Sequence, residues 1–313
     1  MNFSLRLRHT VGDVELAKLV ELARDERYWL SLGGQVTSTM ASPLGQTPAP
    51  PEGSAYLERL HEVGYFHAKA LIEEGVRRAA LLDIERVHRA GWPRVFAFVY
   101  DGPWRVVRAP RLLDVIRATL GPGAWQVPAV WIHHVPPVGG ARGWGPHRDA
   151  ADETRTCRNG GPARLTAWLA LTDATLDNGC LHVVPRGIAP RLVKEFVKAR
   201  EAPLDEVTEL LHGCRALPAE AGTLIAWRPD LLHWGGVATG EGSRARVSVS
   251  LEFAHEEDLP RHDDGVPLPL HLPVTFSQRL HLIGRALLAY GTAQDREPHA
   301  ARFTPLGEHL LGA

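Results

Sequence analysis

His147-Arg148-Asp149 places an imidazole and a carboxylate two residues apart. In an extended chain, residues i and i+2 project to the same face, so both groups can take adjacent positions on one metal ion. The spacing alone is unspecific. With 16 His and 15 Asp in 313 residues, roughly one H-x-D is expected by chance. A second instance, His262-Asp263-Asp264, lies in a polar, loop-like stretch. Context separates the two. His147 follows a Gly/Pro-rich approach, PPVGGARGWGP, which lets the backbone turn sharply. His233 stands near the end of the apolar run GTLIAWRPDLLHW, where a polar side chain needs a partner if buried. Arg246 then opens the strand-like RVSVSLEF, with Ser248 on the same face. Two imidazoles and one carboxylate form the facial set that leaves positions open on Fe(II). After Asp264 come only His271, His281, His299 and His309, in a helical tail. The expected donor set is therefore His147, Asp149 and His233.

The elements that must position these groups show a change of texture near residue 125. From there to 255 run short apolar, β-branched or aromatic stretches separated by Gly, Pro, Asn and Asp: AWQVPAVWIHHV, ARLTAWLALTDA, CLHVVP, GTLIAWR, LLHWGGVA and RARVSVSLEFA. Short strands with turn signals between them predict a β barrel or sandwich. Helical spacing appears at 11–28, throughout 55–90, at 109–119, at 191–212 as an insertion between strands, and at 275–291. Residues 34–54 form a Gly/Ser/Thr/Pro tract, read as a long loop that is either a lid or a plain connection. The expectation is one domain over 1–313. It has an N-terminal helical region (1–124), a β core (125–255) and a C-terminal loop and helix (256–313).

The segments GPHRDAADE, AWLALTDATLDNGCLHVVPRG, AGTLIAWRPDLLHWGG and RARVSVSLEF, in that order, resemble the phytanoyl-CoA dioxygenase family of Fe(II)- and 2-oxoglutarate-dependent oxygenases. LHEVGYFHAKALIEEGVRRA resembles that family's N-terminal strand and helix. The resemblance implies a mainly β fold with flanking helices, built on a double-stranded β-helix of the jelly-roll or cupin kind. It implies Fe(II), 2-oxoglutarate as cosubstrate and O2. His147, Asp149 and His233 would ligate the iron. An arginine on the strand after His233 would pair with the far carboxylate of 2-oxoglutarate: Arg246, supported by the R-x-S arrangement with Ser248, or Arg244, favoured by loop length. Trp168 matches an aromatic position beside the cosubstrate. Trp144 and Trp234 flank the ligands and, with His134, are candidates for the substrate pocket. PRGI (Pro185–Ile188) and His133-His134 depart from the family's usual residues. Related halogenases lack the ligating carboxylate, so Asp149 implies hydroxylation, or another oxidation of an unactivated C–H bond in a small organic molecule, with release of succinate and CO2. The competing readings are a cupin-type metal enzyme that does not use 2-oxoglutarate and a non-catalytic metabolite-binding barrel.

Composition bounds the partners. Thirty-five Lys and Arg against 36 Asp and Glu give a net charge of −1, which predicts no nucleic-acid or membrane-surface binding. Lysine is scarce, so arginine carries most of the positive charge and suits planar carboxylates. Cys157, Cys180 and Cys214 are odd in number and widely spaced, which fits a reducing compartment. MNFSLRLRHTVGD has no apolar signal segment, so a cytoplasmic location is expected. Both a monomer and a dimer are compatible with these features.

Overall fold

The computed structural model describes residues 13–37, 53–150, 161–188, 204–240, 244–259, 267–290 and 303–312. The elements are α1 (Asp13–Arg24), α2 (Glu26–Ser31), α3 (Gly53–Glu62), β1 (Tyr65–Ala68), α4 (Glu74–Arg89), α5 (Asp101–Val107), α6 (Pro110–Leu120), β2 (Ala124–Val135), β3 (Arg164–Ala170), β4 (Leu181–Val183), α7 (Leu204–Gly213), β5 (Arg215–Leu217), β6 (Leu224–Trp227), β7 (His233–Gly235), β8 (Arg246–His255), β9 (Leu268–Pro269), α8 (Phe276–Tyr290) and α9 (Thr304–Leu311). The chain divides into two compact units. One comprises residues 1–40, 82–104 and 273–313, and the other residues 41–81 and 105–272.

The larger unit holds every strand among the described residues. Its main sheet is antiparallel in the order β1-β6-β3-β8-β2-β9, and a second sheet runs β5-β4-β7. A bridge between His147 and His233, and another between Arg142 and Val237, add the 142–147 segment beside β7. Period-two alternation gives the main sheet two unlike faces. Cross-strand rows such as Phe66–Ala226–Ala167–Leu251–Val130 and Ala68–Leu224–Leu169–Val249–Ile132 are apolar throughout and buried. The helix α6 lies against β2 and β8. The opposite face carries Trp227, Thr166, Trp168, Ser248, Ser250 and His133. There Trp168, Ile225 and Trp227 pack with Leu181, Val183 and Leu217 of the second sheet. Two antiparallel sheets facing one another over such a core, with flanking helices, make the double-stranded β-helix.

The six apolar runs read as strands contain β2, β3, β4, β6, β7 and β8. The stretch 55–90 is not helical throughout: Gly64, at φ +86°, ends α3, and β1 intervenes before α4. A residue with a Cβ is disfavoured in that conformation, and β1 is recruited by pairing with β6. The strands β5 and β9 were too short to leave a period in the sequence. Of the expected insertion 191–212, residues 204–213 form α7 and the remainder lies outside the described residues, as do Cys157, His262, Asp264, His299 and most of 34–54. Cys180 and Cys214 are free. Among the described residues, no helix is long and apolar enough to cross a membrane.

The smaller unit is helical and centred on Trp29, Trp92, Phe96, Tyr100 and Phe303, whose rings meet in stacked, tilted and edge-to-face contacts. Arg279 of α8 is 1% exposed there and donates to the Asp101 carboxylate at 3.0 Å and to the carbonyls of Val99 and Thr37. Replacing one member of a buried pair strands the other charge. Arg279→Ala is expected to lower stability by about 3–5 kcal/mol, measured as a loss of melting temperature or of denaturation midpoint.

Candidate metal centre

His147 and His233 come together through the backbone. Each peptide N–H donates to the other's carbonyl at 3.0 Å. Residues that exchange both hydrogen bonds in this way project side chains to one face, and the two imidazole rings lie 4.3 Å apart between centroids. Asp149 is two residues beyond His147, and its Oδ1 lies 3.6 Å from Nε2 of both histidines. These donors all fall within 4.8 Å of one another and form the one group of three or more metal-ligating side chains among the described residues.

The surrounding hydrogen bonds fix which atoms face the centre. Nδ1 of His147 lies 2.8 Å from the Gly145 carbonyl, and Nδ1 of His233 lies 3.0 Å from the Leu231 carbonyl. A carbonyl only accepts, so both Nδ1 atoms carry the proton and both Nε2 lone pairs are free to ligate. On Asp149, Oδ2 accepts from Thr166 Oγ1 at 2.7 Å and from Trp227 Nε1 at 2.9 Å. That leaves Oδ1 toward the imidazoles. Burial opposes the charge on Asp149, but His233, His147 and the Thr166 hydroxyl outweigh it and hold the carboxyl well below the usual range. Burial pushes His233 down. It also opposes the charge on His147, where the Asp149 and Gly145 contacts prevail and raise it. Two neutral imidazole nitrogens and one carboxylate oxygen are the donor chemistry that suits Fe(II).

A second feature lies on the same sheet face. Arg246 is 1% exposed, and its Nε and Nη1 are buried with no hydrogen-bond partner among the described residues. Ser248 Oγ, two residues along β8, is in the same condition. The Arg246 guanidinium lies 5.6 Å from the Trp168 ring. Burial pushes its pKa down to about 10, which leaves it charged at neutral pH. A buried cation with idle donors is a costly arrangement that an anion would relieve. Arg244 is exposed, so of the two arginines Arg246 is the one the fold buries.

The pocket candidates divide by strand parity. Trp144 is brought in, with its ring 5.9 Å from that of His147. Trp234 is not. It alternates with His233 on β7, faces the other side of that sheet, stacks on His182 at 5.6 Å and packs against Leu232, Leu210 and Val184. His134 alternates with His133, and it is His133 that shares the site face, with Nε2 2.7 Å from Ser250 Oγ. Burial, then Arg246 and the two metal-site imidazoles, push His133 down to about 3, so its ring is neutral. Three contributors escaped the sequence reading: Thr166, Trp227 and His133. Thr166 and Trp227 are cross-strand partners, which only the register reveals. Nothing local separates His133 from His134, since each alternates with buried apolar residues of β2, Trp131 and Val135 on one side and Val130 and Ile132 on the other.

The profile of the phytanoyl-CoA dioxygenase (PhyH) family matches residues 93–246. Over those residues the chain is PhyH-like. Iron/2-oxoglutarate oxygenase-type chemistry goes with that family, and the donor set of this PhyH-like chain is of the kind that chemistry uses. None of the curated proteins matches it significantly in sequence. Solved structures share its fold. The apo form of the non-heme monooxygenase ThoJ is 16% identical, with a TM-score of 0.51, over 80% of this chain and 99% of that one. The non-heme alpha ketoglutarate dependent epimerase SnoN from nogalamycin biosynthesis is 19% identical, with a TM-score of 0.49, over 72% and 96%. HygX from Streptomyces hygroscopicus, with nickel and 2-oxoglutarate bound, is 14% identical, with a TM-score of 0.49, over 64% and 87%.

The approach of the two ligand-bearing segments is close. A Cβ on Gly235 would lie 2.6 Å from Gly143 Cα, and one on Gly143 would lie 2.7 Å from Arg246 Nη2. Backbone cannot yield as a side chain does, so Gly235→Ala is expected to cost on the order of 2 kcal/mol and to lower the melting temperature by several degrees in a thermal scan.

Proposed function

We propose that the protein is an Fe(II)/2-oxoglutarate-dependent dioxygenase that hydroxylates or otherwise oxidises an unactivated C–H bond of a small organic molecule, a specialised metabolite, with release of succinate and CO2. Nε2 of His147, Nε2 of His233 and Oδ1 of Asp149 hold the iron. The bound iron and keto acid supply the oxidising chemistry, which side chains alone do not possess. The observation that carries the reading is the buried Arg246 guanidinium with Nε and Nη1 unpartnered, on the sheet face that also bears Thr166 and Trp227. An anionic cosubstrate would supply the partner those donors lack.

The chain's residues then have separable tasks. Arg246 and Ser248 take the far carboxylate of 2-oxoglutarate through charge-assisted hydrogen bonds. Trp168, whose ring lies 5.6 Å from that guanidinium, would stand beside the bound carboxylate. Asp149 occupies the position that a halide would need, so the outcome is oxidation rather than halogenation. Trp144 and His133, in edge contact at 6.4 Å, stand where a substrate would meet the metal site.

Fe(II)-loaded protein is expected to convert 2-oxoglutarate to succinate, and His147→Ala or Asp149→Ala to abolish the conversion. Arg246→Ala is expected to raise KM for 2-oxoglutarate roughly 100-fold, the loss of about 3 kcal/mol of charged hydrogen bonding, while Arg244→Ala leaves it near the parent value. Succinate release assayed by chromatography decides both. Equal KM values for the two arginine variants would overturn the assignment of Arg246, and no 2-oxoglutarate turnover across a broad metabolite panel would overturn the function.

A further inference from the structure

We propose that Thr166 and Trp227 are positioning residues that restrict Asp149 to a single ligating oxygen, and that this restriction keeps three coordination positions open at the metal. The proposal rests on the metal-site reading above and goes beyond it in assigning what decides the number of vacant positions. A carboxylate oxygen has two lone pairs in its plane. On Asp149 Oδ2 both are engaged, by the Thr166 hydroxyl at 2.7 Å and the Trp227 indole at 2.9 Å. Oδ1 is the oxygen turned toward both Nε2 atoms, 3.6 Å from each. With one oxygen bound, the three side chains would fill three of the six positions such a metal offers and leave three. Were Asp149 to bind through both oxygens, four would be filled and two left, enough for a chelating keto acid and nothing more.

The two donors are well placed for this restraint. Thr166 and Trp227 are directly paired across β3 and β6, and they are 8% and 2% exposed. Neither can swing away without breaking the sheet core. The Trp227 ring also lies 4.6 Å from the His233 ring, so one indole touches two of the three ligands. Phenylalanine would keep the ring packing and lose the N–H. Valine in place of Thr166 would keep the shape and lose the hydroxyl.

The test uses the full chain stripped of metal and titrated with Co(II), first alone and then with 2-oxoglutarate, read by visible d–d absorption. Parent, Thr166→Val, Trp227→Phe, the double variant and Thr166→Ser are compared. The parent is expected to take up Co(II), and the two single losses to weaken its binding about 10- to 100-fold, the usual scale for outer-sphere partners of a ligand. The d–d spectrum of the Co(II)-saturated variants should shift before keto acid is added, and their 2-oxoglutarate affinity should fall at least tenfold. Thr166→Ser, which retains the hydroxyl, should restore parent behaviour. Variants that melt at lower temperature but keep the parent's spectrum and both affinities would overturn the proposal while leaving the metal centre intact. A parent chain that takes up no Co(II) would overturn the metal-site reading as well. If Trp227→Phe fails to fold, the Thr166→Val and Thr166→Ser pair decides the question.

Discussion

The pair of backbone hydrogen bonds exchanged by His147 and His233 sets the geometry on which the rest of the site depends. Neither imidazole is brought to the other by side-chain attraction; each is carried there by a strand. Once the two peptides are paired, both rings must share a face, and Asp149, two residues on, falls beside them. The neighbouring bond from Gly235 N–H to the Trp144 carbonyl, 2.9 Å, continues the pairing. Its glycines let the two segments run closer than side chains would permit. A site assembled in this way is as rigid as the sheet edge that carries it, which is the condition for holding an open coordination shell.

Electrostatics gives a second constraint. Asp149 and Arg246 sit on one side of the sheet without touching, one a carboxylate held in its charged form and the other a buried guanidinium with idle donors. Each would be expensive alone in a low-dielectric interior. On the proposed reading a divalent cation meets the carboxylate and a dicarboxylate bridges cation and guanidinium. The charges −1, +2, −2 and +1 then sum to zero.

The same alternation explains what could and could not be read along the chain. His147 and Asp149 share a strand-like spacing, and the run RVSVSLEF announces a face of Arg and Ser against a face of Val, Leu and Phe, so these residues were visible. The double-stranded β-helix was legible for the same reason, since six of its strands have strong apolar texture. Trp234 and His134 were drawn in by adjacency to important residues, yet adjacency in a strand means the opposite face. Thr166 and Trp227 lie far apart in sequence and meet only through the β3–β6 register, which no local pattern encodes. The strand β1 hid in a helical stretch because four residues are too few for a period. Its direction is fixed by pairing with β6 rather than by its own composition.

A division of labour follows from which residues belong to the sheets. Thr166, Trp168, Trp227 and Ser248 are strand residues with cross-strand partners on both sides, and Arg246 is paired with Val135; on the proposed reading they serve the metal and the keto acid. Trp144 is different. It lies outside the named strands, on the Gly-rich approach to His147, yet within ring contact of both His147 and His133. Its main chain is tied to β7, where the Gly235 N–H donates to the Trp144 carbonyl, and Gly143 lets the two segments approach closely. A side chain outside the cross-strand rows of the main sheet can change identity without displacing a partner in those rows. On the proposed reading, selection among substrates falls to such positions, and the strands keep the metal site the same whatever molecule is presented to it.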